Sequence, residues 1–140
     1  MKYSLLIFLS LFLNNELYII DGDTIKLDNV KIRLLAIDAP EGKQFFGDSA
    51  KIHLEHLLKG KEITYKIDSY DQYHRALAVI YVDNTININL KMVSDGYAWS
   101  YRYNKNQIYI NAMNEAKKNK RGLWKYPNQI DPYDFRKANK

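Results

Sequence analysis

Two periodicities alternate along this chain, one of two residues and one near 3.6, and their order outlines a fold. Leu17-Tyr18-Ile19-Ile20 is a β-rich run closed by Asp21-Gly22-Asp23. Thr24-Ile25-Lys26-Leu27 and Val30-Lys31-Ile32-Arg33-Leu34-Leu35 flank Asp28-Asn29, a pair suited to a tight hairpin turn. Pro40 breaks the third strand. From Phe46 to Leu58 the period lengthens: Ala50, Leu54, Leu57 and Leu58 form the stripe of an amphipathic helix that Gly60 stops. Ile63, Tyr65 and Ile67 alternate as a half-buried strand, and Ala76 to Val82 is a continuous apolar strand followed by a turn at Asp83-Asn84. Leu90, Val93 and Tyr97 mark a short helix ending near Gly96. A last helix is predicted from about Gln107 to Lys120, with Asn106 as its cap, Ile108, Ala112 and Ala116 facing inward, and Gly122 at its end.

Strands with one helix inserted after the third suit an α+β, mainly β architecture. The expectation is an OB-fold, a closed five-stranded barrel with three helices packed against it. No internal repeat or long Gly/Pro/Ser linker interrupts residues 16–126, which are read as one domain; residues 127–140 are expected to form a C-terminal extension, of which Ile130 to Lys140 reads as a tail or a strap across the barrel. At the other end, Lys2 precedes an apolar run from Tyr3 to Leu13 that stops at Asn14-Asn15. Residues 1–15 have the proportions of a signal peptide, which predicts an exported protein, secreted or periplasmic. No small-residue cleavage site follows Leu13, so a membrane anchor formed by residues 3–13 is the alternative.

Composition narrows the chemistry. With 46% apolar residues, 140 residues can bury one core. Lys and Arg outnumber Asp and Glu by 21 to 16, which favours an anionic partner without naming one. The absence of cysteine excludes disulfides, thiolate metal sites and cysteine catalysis. Three histidines make a multi-His centre improbable, and His53 and His56, three apart on a predicted helix with no third soft ligand nearby, read as solvated helix-face residues. Lys117-Lys118-Asn119-Lys120-Arg121 reads as a charged helix end. Twelve tyrosines beside basic residues suit stacking on bases.

Acidic residues gather at strand ends: Asp21 and Asp23 after the first strand, Asp38 and Glu41 after the third. Taken singly each is ordinary turn chemistry. Brought to one rim, they could hold a hard divalent cation such as calcium. Arg33 lies inside an apolar strand and Arg75 opens another. An arginine in such a place is either paired with nearby aspartates or reserved for an anion, because an unpaired buried charge is costly. A guanidinium fork matches phosphate oxygens bidentately. Cation site, spare carboxylate and two phosphate clamps are the parts of a phosphodiesterase.

The stretches that carry these residues are Ile20-Asp21-Gly22-Asp23-Thr24-Ile25, Arg33-Leu34-Leu35-Ala36-Ile37-Asp38-Ala39-Pro40-Glu41 and Asp71-Gln72-Tyr73-His74-Arg75-Ala76-Leu77-Ala78. With Gln44 to Ala50, Asp95-Gly96-Tyr97-Ala98 and Arg121-Gly122-Leu123-Trp124, they resemble the staphylococcal (micrococcal) nuclease family over nearly all of residues 16–126. The resemblance implies a calcium-dependent, sugar-non-specific nuclease that leaves 3′-phosphates. Asp23 and Asp38 match its calcium-ligating carboxylates, the carbonyl of Ala39 a third ligand, and Asp21 a partner behind them. Glu41 matches the general base, Arg33 and Arg75 the pair on the scissile phosphate, and Tyr73, Tyr101 and Tyr103 the nucleotide pocket. The expected substrates are DNA and RNA, preferably single-stranded or open, attacked by a monomer with no obligate protein partner.

Three positions depart from the family pattern: Ala39 where threonine is frequent, Gln72 where a lysine can occur, and His74 where glycine is usual. If that glycine serves a positive-φ turn, His74 adds strain beside Arg75. Asp131-Pro132-Tyr133-Asp134-Phe135-Arg136 is similar to a C-terminal extension of bacterial relatives, with no role attached. The alternative from another class is a non-catalytic OB module that binds nucleic acid through tyrosines and basic residues.

Overall fold

The computed structural model describes residues 16–140; the run over residues 3–13, and the export or anchoring expected of it, lie outside the described residues. Four strands open the described chain: β1 (Leu17–Asp21), β2 (Thr24–Leu27), β3 (Val30–Leu34) and the short β4 (Ile37–Asp38). Helix α1 (Gly47–Leu58) precedes β5 (Ile63–Tyr70), β6 (Ala76–Val82) and the short β7 (Ile86–Asn87). Then follow α2 (Ile88–Ser94), β8 (Trp99–Ser100), α3 (Gln107–Lys118), a 3₁₀ turn at Gly122–Lys125 and α4 (Pro132–Ala138). Among the described residues no helix is long and apolar enough to cross a membrane.

Local sequence explains the turns. Asp28 and Asn29 adopt φ 47° and 68°, and Asp83 and Asn84 adopt 52° and 59°. Consecutive positive φ values make the hairpin turn whose twist matches its strands, and Asn and Asp tolerate it better than other non-glycine residues. The Asn106 side chain caps α3 by accepting from the Ile108 amide, as its position predicts.

The main sheet runs β1-β2-β3-β6-β5, antiparallel except where β3 meets β6 in parallel, and β7 pairs with the far end of β6. β4 and β8 form a separate two-stranded pair. The fold is the expected mixed, OB-like one, but the sheet is not closed: β1 and β5 end the hydrogen-bonded order. Helix α1 packs against β1, and β5 runs past the core, with its register broken between Ile67 and Ser69 and residues 66–70 exposed. Ile67, expected to be half-buried, is therefore open to solvent.

Inside, Ile25, Ile32, Leu34, Leu54, Leu58, Ile80 and Met92 are fully buried. Ala50, Leu54 and Leu58 of α1 face inward as predicted. On α3 the stripe is rotated: Ile108 is exposed, and Tyr109 takes the inward place, with its hydroxyl accepting from Asn87 Nδ2 at 3.2 Å. His53 also departs from expectation. It is half-buried, stacked on Tyr97 at 3.8 Å, with Nε2 2.9 Å from Asp95 Oδ2.

One buried polar side chain, outside every sequence motif, staples the sheet to α2. Asn89 is fully buried; its Oδ1 accepts from the Ile80 amide at 3.1 Å, and its Nδ2 donates to the carbonyls of Ala78 at 2.9 Å and Leu35 at 3.0 Å. Asn89→Ala is expected to lower unfolding stability by about 2 kcal/mol, because the Ile80 amide and the Leu35 carbonyl lose its bonds while the Ala78 carbonyl keeps the Leu35 amide. Urea denaturation measures this, and a loss near the value for a surface substitution would show that the staple is dispensable.

Candidate active site

The sheet's register, more than any loop, assembles the site. Arg33 pairs in register with Thr24 on one side and Leu77 on the other. Side chains alternate along a strand, so Arg75, two residues before Leu77 at the entrance to β6, emerges on the same face. Thr24, Arg33, Arg75 and Leu77 accordingly line one cleft of about 400 Å³ with Asp21, Asp23, Ala39, Glu41, Asp71, Tyr101 and Arg136.

Gly22 lets the first acidic turn close on its neighbours. A Cβ at that position would stand 2.7 Å from the Ala50 Cβ of α1 and 2.9 Å from the Ala39 Cβ, distances no side chain tolerates. Glycine is required here for close approach. Asp23 is consequently held in place: Oδ1 accepts from Thr24 Oγ1 at 3.0 Å and Oδ2 from the Ala39 amide at 2.8 Å.

Arg33 lies across the two buried aspartates. Its Nη1 donates to the carbonyls of Leu34 at 2.6 Å and Ile37 at 2.9 Å, while Nη2 stands 3.3 Å from Asp38 Oδ1 and 3.5 Å from Asp23 Oδ2. Arg75 is paired with a residue to which the sequence assigned no part: its Nε donates to Asp71 Oδ2 at 2.7 Å. Asp71 Oδ1 accepts from the amides of Tyr73 and Arg75, both at 2.9 Å. Its slight burial raises the carboxyl's pKa, but these bonds and the guanidinium outweigh it and leave the group below the usual carboxylate range. Both arginines thus pair with aspartates, the option the sequence left open.

His74 does occupy the positive-φ position, at φ 61°. The turn holds nonetheless, because Asp71 fastens the backbone on both sides of it. Restoring glycine, His74→Gly, is expected to raise stability by up to about 1 kcal/mol by removing left-handed strain, less the entropy glycine adds to the unfolded chain. A thermal melt checks this; a lower Tm would mean that the His74 side chain contributes contacts worth more than the strain.

Carboxylates crowd the rest of the cleft. Burial pushes the Asp21 carboxyl up, and the charges of Asp23 and Glu41 add to it. Burial likewise raises Asp38, which is 1% exposed, against the pull of Arg136 and Arg33. Arg136 comes from α4. Its Nη1 and Nη2 donate to the two oxygens of Asp38, each at 2.9 Å, and Nη1 also reaches Glu41 Oε1 at 2.6 Å. Those bonds, the Asp38 pair foremost, raise the already high pKa of the guanidinium.

The tyrosines divide. Tyr101 lines the cleft. Tyr73 and Tyr103 are exposed and stand outside its lining: Tyr73 lies 5.8 Å beneath the Arg75 guanidinium, and Tyr103 packs edge-on between Tyr101 and Tyr133. Gln72, one of the departures from the family pattern, is also exposed.

The donors available to a metal are all oxygens, which suits a hard cation. Among the described residues, however, no three of His, Asp or Glu are gathered closely enough to enclose an ion. Asp23 and Asp38 are the two carboxylates that share Arg33, so a cation there would complete its shell with main-chain oxygen and water.

An OB-like sheet whose strand ends join acidic residues to two arginines in one cleft is the build of a nuclease, a hydrolase of phosphodiester bonds. The family profile described as staphylococcal nuclease homologue matches residues 31–126, more than half of the sequence. An uncharacterized endonuclease of Haemophilus influenzae is 39% identical over 126 residues, covering 86% of this chain and 70% of its own. An uncharacterized endonuclease of Escherichia coli O157:H7 is 37% identical over 123 residues, covering 84% and 80%. A micrococcal nuclease of Shigella flexneri is 36% identical over 138 residues, covering 87% and 79%. The chain belongs to the staphylococcal nuclease family, and nucleic acids are the substrates that membership implies.

Proposed function

We propose that the protein is a calcium-dependent, sugar-non-specific endonuclease of the thermonuclease type, and that the cleft described above is where it cuts. The observation that carries this is the convergence of Asp21, Asp23, Glu41, Arg33 and Arg75 on one cleft. Asp23, Asp38 and the Ala39 carbonyl would hold the metal, with Asp21 behind them; bound there, calcium supplies Lewis-acid polarisation of a phosphate oxygen.

The chain's own residues supply the rest. Glu41 accepts the proton of the attacking water. Arg33 and Arg75 donate to the phosphate oxygens and stabilise the charge that builds as water adds to phosphorus. Release of the 5′ oxygen leaves a 3′-phosphate. Tyr101, and on the exposed side Tyr73 and Tyr103, offer rings to unstacked bases, contributing about 1–3 kcal/mol per base without choosing sequence. Single-stranded and open regions of DNA and RNA are therefore the favoured substrates, cut by a monomer. The apolar run over residues 3–13 supports export, or anchoring if it is retained.

Incubation of a single-stranded oligonucleotide with the protein, with calcium and with chelator, tests the proposal. Calcium-dependent scission leaving 3′-phosphate ends is the expected result. Binding without scission in either condition would instead mean a nucleic-acid-binding module on a nuclease fold.

A further inference from the structure

Helix α4 has its own fastenings. Asp131 caps it by accepting from the Tyr133 amide. Arg102 pairs with Asp134 and Asp131 and lies 4.5 Å over the Tyr133 ring. Just ahead of the helix, Gln44 Nε2 donates to the Ile130 carbonyl at 2.6 Å. None of these contacts involves Arg136, yet they aim it from 98 residues away at the buried Asp38.

Arg136 takes both Asp38 oxygens and one of Glu41. Those oxygens belong to a proposed metal ligand and to the proposed base. A divalent cation on Asp38 therefore meets a guanidinium already spread over both oxygens, and the two cations compete for one carboxylate. Arg33 offers no such conflict on the same scale, since two of its bonds go to main-chain carbonyls. The Arg136 side chain is also 37% exposed, which leaves it room to move while α4 stays docked.

The geometry points to Arg136 as an exchangeable counter-ion of this site. In the metal-free protein it bridges Asp38 and Glu41 and occupies their oxygens; on loading, the cation takes its place and the guanidinium is released into the cleft that holds Arg33 and Arg75. This rests on the nuclease reading given above and adds a control to it: a contact from the C-terminal helix that competes with the metal.

Calorimetric titration of calcium into the wild type, Arg136→Gln and Arg136→Lys, all without nucleic acid, tests the exchange apart from catalysis. Arg136→Gln is expected to bind calcium about fivefold more tightly, the scale of one partly solvated ion pair. Arg136→Lys keeps the charge but loses the two-pronged grip, and its affinity should fall between the two. In the wild type the Arg136 Nε–H resonance should move as calcium is added. A lysine variant matching wild type while the glutamine variant gains would mean through-space repulsion only and overturn the exchange. Equal affinities throughout, or weaker binding by Arg136→Gln, would overturn it and leave the nuclease proposal standing. No calcium binding by any of the three would overturn both.

Discussion

An Arg33→Ala variant is expected to lose about 100- to 1000-fold or more in cleavage rate, as does removal of other preorganised donors to a reacting phosphate or carbonyl oxygen. It is also expected to lose about 3 kcal/mol of stability, the lower part of the range for stripping one partner from a buried charge cluster. Both losses follow from one placement. The Arg33 side chain is 14% exposed between side chains that are 10% and 1% exposed, and its guanidinium also binds two carbonyls. Its removal takes away the cation beside Asp23, which keeps only its hydrogen bonds to Thr24 and the Ala39 amide, whereas Asp38 keeps Arg136. Urea denaturation and a cleavage assay on the same preparation separate the effects. A variant as stable as wild type would show that Arg33 is not the residue compensating Asp23.

Glu41→Gln should lose cleavage without the loss of stability. Loss of a general base typically costs about 100- to 10,000-fold, so cleavage should fall by that order with little change in Tm. The side chain is 32% exposed, and its ion pair to Arg136 is partly solvated. The amide keeps shape and a hydrogen-bonding oxygen while removing the basic one. Near-normal cleavage by Glu41→Gln would remove it from the mechanism and direct attention to Asp21, whose raised pKa leaves it the other candidate for handling a proton in the same cleft.

The parts of the molecule that local chemistry dictates were legible in the sequence. Asp28-Asn29 and Asp83-Asn84 announce positive-φ turns, and the strand over Ala76 to Val82 has the predicted ends. The acidic strand ends and the two arginines likewise stand inside three separated motifs that can be read in order along the chain. What failed was phase and distance. Ala112 and Ala116 are small enough to permit either of two neighbouring stripes on α3, and the one buried runs through Tyr109, whose hydroxyl accepts from Asn87. Closure of the barrel depends on pairing between the first and fifth main strands, which no local pattern specifies.

Arg136 shows both sides of this. Asp131-Pro132 is a recognisable helix start, a capping side chain followed by proline at the first helical position, and would have placed α4. Nothing nearby in the chain tells where the arginine one turn on would point. Asp71 was similarly in view, four residues before Arg75, but an aspartate in a turn looks the same whether it closes only the turn or also grips the next side chain.

The parallel join of β3 and β6 has a consequence for how the protein comes into being. Parallel neighbours cannot be linked by a tight turn, so the whole stretch from β4 through β5 must be traversed before Arg33 and Arg75 share a face. Such long-range pairing closes slowly compared with helices and hairpins. Cleavage should accordingly return no sooner than this pairing forms, because only then do Arg33 and Arg75 share a face.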